Sequence, residues 1–182
     1  MDMNIPNSLT LLRILLLPIF IACMAYRAYG VALLVLVVAG LTDVIDGFLA
    51  RQWNQQTRLG MVLDPLADKL FLSSTFLSLL MLHLVPSWLV ILVVSRDVIL
   101  LLGTALMHVT GTQLDMTPTL WGKGTTLLQL TYVFLVVFFA WLGLSLSILT
   151  PLVVAMVGFT LTSGFHYTYR GYCHITTSLP PA

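Results

Sequence analysis

The sequence predicts an all-α fold, an integral membrane bundle of six transmembrane helices, and three observations lead there. Hydrophobic residues fill 59% of the 182 positions and charged residues only 8%, with a mean hydropathy of +1.01. A soluble domain of this size would not stay in solution with that surface. Apolar runs long enough to cross a hydrocarbon core, about 20 residues at 1.5 Å rise each, recur along the whole chain. The breaks between them are short, so no soluble domain fits in the loops and 1–182 reads as one transmembrane domain.

Each element follows from its punctuation. Spans are expected at roughly 7–27, 30–50, 60–82, 86–109, 120–142 and 146–170. They are separated at Arg27–Gly30, at 51–59, at His83–Pro86, at the polar stretch Thr110–Thr119 and near Gly143–Ser147. The first span is read as a membrane helix and not as a signal peptide. No basic segment precedes Arg13, and the apolar run continues past any small-residue cleavage site.

Six spans put both ends of the bundle on one side, which lets the basic residues be sorted. With the N-terminus inside, Arg13, Arg51, Arg58, Lys69, Lys123 and Arg170 fall at or near inner ends, against Arg27 outside. The positive-inside rule then turns the segment 43–68 toward the cytoplasm. Trp53, Tyr167, Tyr169 and Tyr172 fall at the same boundary, where aromatic rings anchor. The net charge of +1 and the lack of a basic cluster exclude nucleic acid as a partner. Cys23 and Cys173 give neither a disulfide framework nor a metal-ligand spacing.

One segment carries chemistry. Asp43, Asp46, Asp64 and Asp68 are four of the seven acidic residues of the chain. Asp43, Asp46, Gly47 and Ala50 follow i, i+3, i+4, i+7 spacing, and Gly60, Asp64 and Asp68 follow spacing by four. Two consecutive helices therefore each present a face of carboxylates and small residues. One Asp at the centre of a membrane helix costs roughly 2.5–3.5 kcal/mol, so four would approach roughly 10–14 kcal/mol if the costs added. Positive charge must offset this. Arg51 is one cation, and four carboxylates without nearby His or Cys suit hard divalent ions, magnesium by default and manganese as its substitute. Gly47, Ala50 and Gly60 would let a ligand or a neighbouring backbone come close. Pro65 is expected in the first turn of a helix beginning near Gly60 to Leu63, where its missing N–H costs nothing.

The run D-x-x-D-G-x-x-A-R, eight residues, then G-x-x-x-D-x-x-x-D, resembles the signature of the CDP-alcohol phosphotransferase (CDP-alcohol phosphatidyltransferase) family with every fixed position filled. The blocks NIPNSLTLLRI, DPLADK, SRD and GKGTT extend the resemblance over nearly the whole chain. It implies that Asp43, Asp46, Asp64 and Asp68 hold two divalent cations, Mg²⁺ or Mn²⁺, against the diphosphate of a CDP-linked donor such as CDP-diacylglycerol. Asp68 would also be the general base toward the acceptor hydroxyl. Asp43, Gly47, Ala50, Arg51, Gly60 and Asp64 would line the CDP pocket. The family fold implies a homodimer in the lipid bilayer, here the bacterial inner membrane, with its site open to the cytoplasm.

The acceptor is read from the remaining cations. Arg13, Arg96, Lys123 and Arg170 are inward or intramembrane and are functional candidates by default. Arg96 leads them because it lies within a span, and Asp97 is expected to be a poor partner for it, adjacent helical residues diverging by about 100°. The N-terminal block, WNQQTRLG and GKGTT are similar to the branch that transfers to glycerol 3-phosphate, giving phosphatidylglycerophosphate, and this is the expected reaction. SRDV and HYTYRG are similar to the branch that makes cardiolipin with phosphatidylglycerol as acceptor, the alternative. A small cation transporter is the remote alternative. Ion pathways need polar groups through the membrane's depth, whereas these four cluster at one end.

Overall fold

The structure, a computed structural model, describes the backbone of residues 5–52, 58–110 and 120–178, and the side chains of 11–43, 45, 67–102, 122 and 124–164. Among the described residues there are helices and no strand. They are α1 (Ile5–Ala25), α2 (Tyr29–Gln52), α3 (Arg58–Met81), α4 (Ser87–Thr110), α5 (Leu120–Leu142) and α6 (Thr150–Ser178), with a single 3₁₀ turn at Leu146–Leu149 before α6. The six expected spans are thus six helices. The last runs on to Ser178 because its polar end continues the helix after the apolar stretch has finished.

One expectation is corrected. α3 begins at Arg58, so Pro65 is its eighth residue and stands beyond the first turn. The helix carries it at the cost of one backbone bond to residue 61. Pro18 is likewise inside α1, as membrane helices tolerate when neighbours re-satisfy the freed carbonyl.

Three helices end in the same way. Arg27, His83 and Gly143 adopt positive φ of 55°, 56° and 67°. After α1 the N–H of Ala28 donates to the Cys23 carbonyl at 2.8 Å and that of Arg27 to Met24 at 2.9 Å. The pairs Leu84 to Leu79 with His83 to Leu80, and Leu144 to Phe139 with Gly143 to Ala140, repeat this after α3 and α5. These are Schellman ends, which satisfy the last carbonyls and turn the chain sharply.

The helices gather into two compact units, Met1–Val90 with Val133–Leu146, and Ile91–Tyr132 with Ser147–Ala182. In the first, α1 packs against both α2 and α3. Its core is apolar: Phe20, Met24, Phe71, Phe76 and Leu79 are buried, with Ala32 and Ala39 keeping α2 thin where it meets its neighbours. Phe20 and Phe71 meet with ring centroids 6.0 Å apart. Gly30 leaves room for the Trp141 indole, which a Cβ there would meet at 3.0 Å. The core of the second unit mixes Val93, Leu149 and Met156 with Arg96, Asp97, Thr125, Gln129, Thr160 and Ser163.

Two described segments, Gly124–Leu142 and Leu146–Gly164, are long and apolar enough to cross a membrane, with mean hydropathies of 1.9 and 1.8. Leu11–Ala25 and Tyr29–Asp43 are shorter apolar helical stretches. Large apolar side chains stay exposed on every helix, among them Leu15, Leu34, Leu77, Ile91, Leu127 and Leu161. Exposed apolar side chains of this kind suit contact with lipid.

Candidate active site

The site is built at one depth of the first unit. Arg13 lies eight residues past Ile5, Asp68 ten past Arg58, and Asp43 nine before Gln52. At 1.5 Å per residue each stands roughly 12–15 Å along its helix from the end shared by the expected cytoplasmic side. Common depth lets the three side chains meet. The Arg13 guanidinium places Nη2 2.9 Å from Asp43 Oδ1 and donates through Nη1 to Asp68 Oδ1. One planar fork thus ties α2 to α3 through α1, the geometry for which guanidinium is suited.

Burial is unequal across this cluster. Arg13 is 3% exposed, whereas the side chains of Asp43 and Asp68 are 47% and 44% exposed. The cation is sunk beneath two carboxylates that keep an open face. Asp46 lies three residues after Asp43 in α2, and Asp64 four before Asp68 in α3. The side chains of Asp46 and Asp64 lie outside the described residues, as do Gly47, Ala50, Arg51, Gly60, Lys123 and Arg170. Among the described residues no group of three His, Cys, Asp or Glu side chains gathers, a count that leaves out Asp46 and Asp64. Asp43 and Asp68 nevertheless fit a divalent ion. They are hard oxygen donors from two helices, already drawn to one positive charge, with surface left open.

The second unit holds a separate polar cluster, and here an expectation is corrected. Arg96 is not a lone cation: its Nη1 donates to Asp97 Oδ1 at 2.7 Å, and its Nη2 to Ser163 Oγ at 3.3 Å. Both charged residues are buried. The angular divergence of neighbours is overcome because the guanidinium sits at the end of a long flexible stem. An uncompensated charge in apolar surroundings would cost several kcal/mol. Thr125 donates to the Phe159 carbonyl at 3.3 Å, where Gly124 lets α5 approach α6 so closely that a Cβ would meet Phe159 Cε1 at 3.2 Å.

Gln129 was not singled out by the sequence reading. It is fully buried, one turn along from Thr125, and neither amide atom has a hydrogen-bond partner among the described residues. A lone amide inside the apolar run TTLLQLTYVFLVVFF was the available signal.

Comparison with known proteins shows the family. The family model for CDP-alcohol phosphatidyltransferase matches residues 3–162. The chain is 44% identical over 99 residues to a cardiolipin synthase (CMP-forming) of Homo sapiens, covering 54% of this chain and 33% of that one. It is 36% identical over 112 residues to a cardiolipin synthase (CMP-forming) of Streptomyces coelicolor, covering 58% and 52%. It is 37% identical over 109 residues to a CDP-diacylglycerol–glycerol-3-phosphate 3-phosphatidyltransferase of Bacillus subtilis, covering 52% and 56%. The chain belongs to the CDP-alcohol phosphatidyltransferase family. The matched stretch spans from a third to a little over half the length of these relatives, and two named activities of phospholipid biosynthesis, cardiolipin synthesis and phosphatidylglycerophosphate synthesis, are represented among them.

Proposed function

We propose that this chain is one transmembrane domain that transfers the phosphatidyl group of CDP-diacylglycerol to a hydroxyl of phosphatidylglycerol, giving cardiolipin and CMP. The observation that carries the reaction class is the convergence of Asp43 and Asp68 from α2 and α3 on a single buried positive charge. Six helices would cross the bilayer of a bacterial inner membrane with this face toward the cytoplasm, and two copies would form a homodimer. Asp43, Asp46, Asp64 and Asp68 would hold two Mg²⁺ or Mn²⁺ ions. When bound, those ions supply neutralisation of the diphosphate charge and of the departing CMP. Gly47, Ala50, Arg51 and Gly60, with Asp43 and Asp64, would line the CDP pocket.

The residues act by position and proton transfer. The acceptor oxygen attacks the phosphorus that carries diacylglycerol, and the bond from that phosphorus to the bridging oxygen breaks, so CMP leaves with that oxygen. The hydroxyl proton passes to the Asp68 carboxylate, whose half-exposed side chain is accessible to it. This is a single displacement with no covalent enzyme intermediate.

The second cluster and the relatives named cardiolipin synthase support this acceptor. The charge of Arg96 is already matched by Asp97 at 2.7 Å, which weakens its attraction for a phosphomonoester carrying nearly two negative charges. Phosphatidylglycerol brings a phosphodiester with one charge and a free hydroxyl. Glycerol 3-phosphate is the second reading, supported by the Bacillus relative and by cations Lys123 and Arg170. The deciding experiment offers purified protein CDP-diacylglycerol and Mg²⁺ with either acceptor and follows CMP release. Release with phosphatidylglycerol is expected; release with glycerol 3-phosphate alone would establish the second reading, and none with either would remove both.

A further inference from the structure

We propose that Arg13 is a built-in counter-cation of the aspartate site, which holds Asp43 and Asp68 when no divalent ion is bound and competes with that ion for the same two carboxylates. The proposal rests on the reading that these aspartates are metal ligands. The sequence alone grouped Arg13 with the acceptor-binding cations; in the structure its guanidinium contacts the two carboxylates.

The argument is electrostatic. A guanidinium that is 3% exposed is kept in an apolar setting only with compensating charge. Asp43 and Asp68 provide that charge, each meeting a different Nη atom. Without a cation the two carboxylates, one on α2 and one on α3 and both drawn to the same guanidinium, would repel each other. Arg13 meets one oxygen, Oδ1, of each carboxylate, and a divalent ion held by both carboxylates would draw on the same negative charge. Two cations sharing that charge repel each other, so an entering ion weakens the hold of the guanidinium on at least one carboxylate. Binding is then an exchange of cations: Arg13 lowers the apparent affinity for the metal and keeps the empty site assembled. Arg13 is in this sense a positioning residue, acting through Asp43 and Asp68.

The test uses the full chain in lipid nanodiscs, with Mn²⁺ binding measured by calorimetry and the melting temperature measured in chelator and in Mn²⁺. Arg13→Gln should bind Mn²⁺ tighter, by roughly tenfold, within the range usual for coupled sites. It should also melt lower than the parent in chelator and gain more from added Mn²⁺. Arg13→Lys keeps the charge but not the planar fork, and should bind Mn²⁺ with an affinity between the parent and Arg13→Gln. If Arg13→Gln does not stay folded without metal, the lysine variant alone decides, tighter binding than the parent being required. Mn²⁺ affinity unchanged or weakened in these variants overturns the proposal while leaving the aspartates as ligands, provided that Asp43→Asn abolishes parental binding. A parent protein that binds no Mn²⁺ overturns the underlying reading, and the proposal with it.

Discussion

Arg96 and Asp97, consecutive residues of α4, form a buried ion pair with Nη1 and Oδ1 2.7 Å apart. Pairs of this kind are unusual on a helix because adjacent side chains leave the axis in different directions. Both residues are nearly inaccessible, so the cost of leaving either charge bare outweighs the rotamer cost of curling the arginine across. Ser163 of α6 takes a further N–H at 3.3 Å, fastening α4 to α6 within their unit. The cluster is close to neutral as a whole.

Removing only the negative partner should therefore do two things. Asp97→Asn leaves Arg96 charged and buried, which should lower stability by about 3–5 kcal/mol. On the proposed reading, in which Arg96 meets the acceptor, it also leaves that charge unmatched, so the ratio of activity with glycerol 3-phosphate to that with phosphatidylglycerol should rise. Melting temperature and kcat/KM for each acceptor read the two effects separately. The double variant Arg96→Met with Asp97→Leu should recover most of the stability, because no charge is then left unpaired.

Asp68 offers a sharper test of the chemistry. Asp68→Asn keeps an oxygen for the Arg13 contact but can no longer take a proton. CMP release should fall by about 10²–10⁴-fold, the usual worth of a positioned base, and loss of a metal-binding charge would deepen the fall. Circular dichroism should show an unchanged helix content. Near-parental turnover in a folded variant would remove Asp68 from the role of base.

How much of this was legible beforehand depends on which physical scale each feature lives on. Helix α5 begins and ends where the hydrophobic run 120–142 does, because lipid-length apolar stretches with Gly punctuation leave few alternatives. Helix α6 passes the expected end by eight residues to reach Ser178, since hydropathy marks where apolar surface stops and not where backbone bonding stops. Local periodicity singled out Asp43 with Asp46 on one helix and Asp64 with Asp68 on the next. Arg13 could be counted as an inward cation but not placed, because its partner Asp68 is 55 residues away and no helical periodicity reaches that far. The Arg96–Asp97 pair was misjudged for the opposite reason. A rule for average side-chain directions gave way to the local cost of unpaired charge.

Gln129 is expected to cost stability as it stands. It is fully buried, and both its amide atoms lack partners among the described residues. Each such group costs about 1–3 kcal/mol when desolvated without a bond. Gln129→Met keeps the length and flexibility of the side chain while removing both polar atoms, so thermal unfolding should move upward by the equivalent of ~1 kcal/mol or more. A lower melting temperature would mean that the amide is bonded in the folded protein.

The contact between Gly124 and Phe159 predicts a substitution that can be undone. A Cβ at 124 would lie 3.2 Å from Phe159 Cε1 and 3.3 Å from Cδ1, closer than ordinary van der Waals contact. Gly124→Ala gains helix propensity of about 0.8–1 kcal/mol, and a small movement of the ring uses up part of that gain, so stability should change little. Gly124→Leu cannot be accommodated in this way and should cost about 1–3 kcal/mol through overpacking. It should also weaken the neighbouring bond from Thr125 to the Phe159 carbonyl. Shortening the ring should relieve the clash: Gly124→Leu combined with Phe159→Ala should melt higher than Gly124→Leu alone, even though Phe159→Ala by itself destabilises. Additive losses in that double variant would show that the two residues do not share the contact.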